Sequence, residues 1–165
     1  MKKIFAAALA VLLLAALAGC GGDPKPTNPG GNDGNFYFEA KGVRLAMGAE
    51  PAAALAALGE ALHSFDCPSC AIDAVDTTYA YPGFELTITD PDRGENYITS
   101  VILKDDTYTT PEGVCIGSTL DEVLAAYGTD YKEETGFYTY TRGRSTLQFE
   151  IASGAVGQIQ YDYLF

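Results

Sequence analysis

Histidine is nearly missing from this sequence: His63 is the only one in 165 residues. With no partner histidine, no Gly-x-Ser-x-Gly elbow and no phosphate-binding glycine loop, nucleophilic or metal catalysis has no assembled machinery, and a non-enzyme is expected. Basic residues are also scarce, ten against 22 acidic ones, for a net charge of −12. Such an excess of acid repels phosphate backbones, so no nucleic-acid partner is expected. Long apolar runs are limited to Ile4–Leu17. That run falls short of the roughly 20 residues that span a bilayer.

What is present at the N-terminus follows a definite order. Met1-Lys2-Lys3 is basic, Ile4–Leu17 is apolar, and small residues close the segment in Leu17-Ala18-Gly19-Cys20. Basic, apolar and small-residue regions in that order make a signal peptide over 1–19. The last four residues resemble the lipobox of bacterial lipoproteins. The resemblance implies cleavage before Cys20, lipid on its thiol, and a location on the extracytoplasmic face of the cell membrane. Two acyl chains meet the two-anchor requirement for stable attachment. Cleavage leaves eight basic and 22 acidic residues, a mature charge of −14.

Residues 20–35 read as the lipidated cysteine and a tether, GGDPKPTNPGGNDGN after Cys20, with no apolar side chain to bury. As a Gly-rich coil this tether reaches about 20 Å. From Phe36 the aromatic and β-branched content rises, and the fold is expected to run to Phe165.

An internal repeat organises that region. Gly48-Ala-Glu-Pro-Ala-Ala-Ala-Leu55-Ala-Ala-Leu58-Gly59 aligns without a gap on Gly117-Ser-Thr-Leu-Asp-Glu-Val-Leu124-Ala-Ala-Tyr127-Gly128. A short β-like run precedes each: Val43, Leu45 and Met47 in the first, Gly113–Ile116 in the second. Downstream, Tyr79-Ala-Tyr81 matches Tyr138-Thr-Tyr140, Phe84–Ile88 matches Thr146–Ile151, and a last strand follows near Tyr97–Lys104 and Val156–Tyr163. The expected fold class is α+β: two tandem repeats, 36–106 and 107–165, each a short helical element on an antiparallel β-sheet of three strands. Ser118 or Thr119 caps the second helix, and Gly128 stops it. Pro51 suits the first turn of the first helix, whose Leu55, Leu58 and Leu62 stripe predicts continuation to about His63. Asp90–Asn96 and Ala152–Gly154 are expected hairpin turns.

This layout resembles the tandem-repeat architecture of the beta-lactamase inhibitor proteins and, per unit, the small outer-membrane assembly lipoproteins. Ser69-Cys70-Ala71, Tyr79-Ala-Tyr81-Pro-Gly-Phe84-Glu and Thr110–Thr119 are more closely similar to segments recurring in surface lipoproteins of Gram-positive gut bacteria. For the latter the resemblance implies no established activity. Two functions follow as expectations, with an uncharacterised enzyme, marked by a deep pocket of convergent carboxylates, as a third alternative. One is a non-catalytic module binding an envelope protein, peptide or glycan; the other is an inhibitor of a secreted or envelope hydrolase.

Three features remain as candidate chemistry. Cys67-Pro-Ser-Cys70 sits in a ten-residue insertion relative to the second copy and lacks the buried strand and helix N-terminus that activate a redox thiol. A disulfide or buried thiols are expected, and with Cys20 lipidated, Cys67–Cys70 and Cys70–Cys115 both stand as pairings. A zinc site would have only His63 and Cys115 to add, so no metal or other cofactor is expected. Asp90, Asp92 and Glu95 suggest a calcium loop, but Gly94 and Val101 occupy positions that need oxygen ligands. Finally, Tyr79, Tyr81, Tyr138, Tyr140, Tyr161 and Tyr163 fall on expected strands and make a candidate binding surface, since tyrosine pairs a rigid apolar ring with a polar tip.

Overall fold

Alternating apolar residues and tight two-residue turns organise the folded region, and the described residues form two sheets and two short helices. The structure is a computed structural model that describes residues 34–70, 72–91 and 94–165. Cys20, the signal segment and the tether to residue 33 lie outside the described residues, as does Asp92. A two-stranded sheet pairs β1 (Tyr37–Ala40) with β2 (Val43–Ala46). Then come α1 (Ala52–Leu58), β3 (His63–Pro68), β4 (Val75–Tyr81), β5 (Phe84–Asp90) and β6 (Tyr97–Leu103). After these follow α2 (Leu120–Tyr127), β7 (Lys132–Glu134), β8 (Phe137–Arg142), β9 (Ser145–Ala152) and β10 (Ala155–Tyr163).

The last eight strands form one antiparallel sheet in the order β3-β4-β5-β6-β10-β9-β8-β7. Antiparallel neighbours joined by short loops explain the meanders on each side, and the two meanders meet where β6 pairs with β10. The α+β class is therefore observed. Each helix is followed by four strands rather than the expected three, the additions being β3 and β7 at the sheet's two edges. Both were hard to read because an edge strand buries little: every residue of β3 and of β7 is exposed.

Local chemistry accounts for the element ends. Thr119 and Glu122 form a reciprocal capping box at the start of α2, and Gly128 ends it with a positive φ of 81°. In α1, Gly59 ends the helix at Leu58 with φ 77°, so the continuation to His63 does not occur. His63 instead opens β3, and Leu62, expected on the buried stripe, is 69% exposed. The β-like run expected at Gly113–Ile116 is a turn-rich loop without a strand, although its Val114 is buried. The expected turn at Ala152–Gly154 joins β9 to β10, and β5 pairs with β6 across the 90–96 segment, of which residues 92 and 93 lie outside the described residues.

One face of the large sheet carries the core. Leu86, Val101, Leu147, Phe149, Ile159 and Tyr161 are fully buried there. The helices contribute Ala54, Leu58 and Val123, and the β1–β2 hairpin contributes Phe38 and Leu45 to the same cluster. Each such apolar side chain stabilises the fold by about 1.5–3 kcal/mol. Asn35, expected at the tether's end, already belongs to the fold: its side chain donates to Met47 O at 2.8 Å and accepts from Arg144 N at 2.7 Å.

Candidate functional site

The opposite face of the large sheet is polar, and its centre is a shallow groove of about 480 Å³. Period-two alternation builds it. While Leu86 and Ile88 of β5 point into the core, Thr87 and Thr89 point away from it, and they pair across strands with Thr78 and Asp76 of β4. Ser100 of β6 and Gln160 and Asp162 of β10 continue the same face. Thr99, set by a register irregularity between β5 and β6, adds another hydroxyl. Cys67, Ser69 and Cys70 from the end of β3 and its turn form one wall, and Phe165 after β10 forms the other.

These polar groups are already oriented by one another. The Thr89 hydroxyl donates to Asp76 Oδ1 at 2.5 Å and lies 2.9 Å from the Thr99 hydroxyl. Thr78 and Thr87 are hydrogen-bonded at 3.1 Å. Along β10, Gln158 donates to Gln160 at 3.0 Å, and Gln160 donates to both carboxylate oxygens of Asp162 at 2.9 and 3.0 Å. Ser100 Oγ is buried and has no hydrogen-bond partner among the described residues. A buried hydroxyl left unpaired costs about 1–3 kcal/mol. No Lys or Arg is among the described residues lining the groove.

Of the six tyrosines expected to make a binding surface, five pair with core residues: Tyr79 opposite Leu86, Tyr81 opposite Phe84, Tyr138 opposite Phe149, Tyr140 and Tyr161 opposite Leu147. Tyr163 lines the groove, and Tyr79 and Tyr81 line a second depression. Tyr81, Tyr140 and Tyr161 are buried, and Tyr79, Tyr138 and Tyr163 are half-buried. Burial raises the phenol pKa of Tyr161 well above its ordinary value, with the Glu112 carboxylate adding to the effect. Tyr127, which donates to Glu112 Oε2 at 2.5 Å, is also pushed far up, chiefly by desolvation. These side chains are packed as apolar rings with satisfied or buried tips. The hydroxyl-rich face was not singled out from the sequence. Its signal was the polar half of the strand alternation, in Asp76-Thr-Thr78, Thr87-Ile-Thr89, Thr99-Ser100 and Gln160-Tyr-Asp162.

The three described cysteines are free thiols. Cys67 and Cys70 are exposed beside the groove, whereas Cys115 is half-buried in the turn before α2, with Sγ 3.6 Å from Ser118 Oγ. Cys67 is a residue of β3, so the ten-residue insertion carries part of an edge strand. Among the described residues, no group of three or more His, Cys, Asp or Glu side chains converges as a metal site. Asp90 and Glu95 flank the β5–β6 turn, where Glu95 accepts from the Tyr97 hydroxyl and raises that phenol's pKa. His63 lines a second depression of about 420 Å³ with Leu55, Glu60, Tyr79 and Tyr81. No described helix is long and apolar enough to cross a membrane.

No protein-family model matches the chain, and neither does any curated protein or solved structure.

Proposed function

We propose that this protein is a lipid-anchored binding module of the cell envelope, held at the membrane by Cys20, that takes its ligand on the polar face of the eight-stranded sheet. The groove over β4, β5, β6 and β10 carries this reading. It is a concave patch of preoriented hydroxyl, amide and carboxylate groups on a rigid, fully paired sheet, which is the form of a recognition surface. The Leu17-Ala18-Gly19-Cys20 signature supports the anchoring half, and the Gly- and Pro-rich tether gives the module reach from the membrane. The envelope location makes an envelope protein, peptide or glycan the class of partner.

We further read the fold as a tandem repeat, 36–106 followed by 107–165. The supporting details fall at aligned positions. Gly48 N donates to Ile98 O and Gly117 N donates to Val156 O, both at 2.8 Å. The hydroxyls of Tyr81 and Tyr140 reach the carbonyls of Gly59 and Gly128, the glycines that end the two helices. This duplicated layout around one continuous sheet also motivates a second reading, inhibition of a secreted hydrolase through the same face. It rests on architectural analogy.

The test is capture from envelope extracts with the lipidated protein against a control carrying only the signal and tether. The proposal expects a ligand retained by the folded protein and lost on replacing Asp162 and Gln160 by alanine. Equal recovery on the control would sink the binding reading. For the anchor, Cys20→Ser is expected to abolish the lipid mass and processing; a mature N-terminus elsewhere than Cys20 would refute it.

A further inference from the structure

Resting on that reading of the open face, we infer that the groove is a glycan site selective for sugars without acidic groups. Three observations carry this. First, the strands that floor the groove, β4, β5, β6 and β10, each have a hydrogen-bonded neighbour on both sides, and β3, which adds Cys67 to its wall, is the edge strand of that sheet. A peptide that binds by adding its backbone to a sheet needs an edge, and this floor offers only side chains. A ligand recognised here must bring many hydrogen-bonding groups of its own in a compact shape, which describes a polyol.

Second, the floor is rich in acceptors. Thr89 spends its proton on Asp76, and Gln160 spends its amide protons on Asp162, so both carboxylates face the groove as net acceptors with lone pairs to spare. Sugar hydroxyls are donors that match them. Third, the described lining contains two carboxylates and no cation, so a uronate, sulfate or phosphate would be desolvated against like charge. At the rim, Phe165 is 44% exposed and packs edge-on to Tyr97 and Tyr163, with centroids 6.4 and 5.4 Å away. It offers an apolar ring for the C–H face of a sugar. The volume, about 480 Å³, lies in the ordinary range for small-molecule sites.

The experiment is a glycan array of neutral, amine-bearing and acidic glycans, probed with the full lipidated protein in detergent and with Asp162→Ala and Gln160→Ala variants. Thermal melts of each variant check folding. Neutral or amine-bearing glycans are expected to bind, and acidic counterparts are not. Asp162→Ala is expected to lose about tenfold or more in affinity, the scale for removing a hydrogen bond to a charged group, with a smaller loss for Gln160→Ala, which releases the carboxylate it orients. Binding confined to acidic glycans, binding unchanged in both folded variants, or no binding to any glycan would overturn the inference. Envelope capture separates the two claims. A protein or peptide retained in an Asp162-dependent manner leaves the open-face reading standing while the glycan inference falls.

Discussion

The Tyr140 hydroxyl donates to the carbonyl oxygen of Gly128 at 2.9 Å and so ties β8 to the end of α2. The carbonyls at a helix C-terminus lack partners within the helix, and this phenol satisfies one of them. Burial, with Tyr131 and Tyr138 nearby, raises the Tyr140 pKa, as suits a phenol kept neutral in that role. Tyr140→Phe keeps the ring and removes the bond, so a loss of about 0.5–1.5 kcal/mol is expected in urea unfolding, with no change in the slope.

The β1–β2 hairpin should be as much a part of the core as the large sheet. Phe38 is fully buried, with ring centroids of Phe84, Tyr108 and Tyr161 at 5.3, 5.6 and 6.0 Å. Phe38→Ala is expected to cost about 3–5 kcal/mol, a large part of a domain's total stability, measured as a fall in unfolding midpoint. A loss below about 1 kcal/mol would show the hairpin to be peripheral.

Gly48 holds φ at 83°, and a Cβ there would run into the Tyr163 ring. Gly48→Ala is expected to destabilise by more than about 1 kcal/mol, whereas Gly42→Ala, at φ 76° in open space, should carry only the conformational cost. Paired thermal melts compare them, and equal losses would remove the steric part of the account.

Acid sensitivity should include the α2 cap. The Glu122 carboxyl is held below its ordinary pKa, first by the Thr119 N–H and then by the Thr119 hydroxyl. A lowered folded-state pKa means that this contribution is fully present above the unfolded-state value and disappears as pH falls through the folded one. Thr119→Ala should therefore raise the Glu122 pKa, read by NMR titration, and cost about 1 kcal/mol at neutral pH. An unmoved titration would contradict the capping role.

How much could be read beforehand depended on how strongly each segment buries apolar surface. Leu147, Phe149 and Ile151 alternate with polar residues, and Thr119 to Glu122 is a capping signature, so β9 and the start of α2 were legible. β3 carries His63, Phe65 and Cys67 on an exposed strand, where pairing with β4 rather than burial makes the structure; periodicity has little to report there. Leu62 misled because it completes a helical stripe that Gly59 has already ended. The tyrosines misled differently. Their positions on strands were correct, but residue type does not say which face a strand turns inward: Tyr81, Tyr140 and Tyr161 are buried in the core, while Tyr163 lines the groove beside Thr78, Thr89 and Thr99, which are themselves buried.

The two edge strands differ in a way that bears on self-assembly. β7 is three residues long and bears Lys132, Glu133 and Glu134, with Lys132 2.8 Å from Glu134. Short, charged edges resist pairing with another chain. β3 presents six exposed residues, with Phe65 at 52% exposure. A molecule that can accept a neighbour at one end only has no means of passing growth along. Edge-to-edge association of the large sheet through β3 would therefore close on itself at two copies.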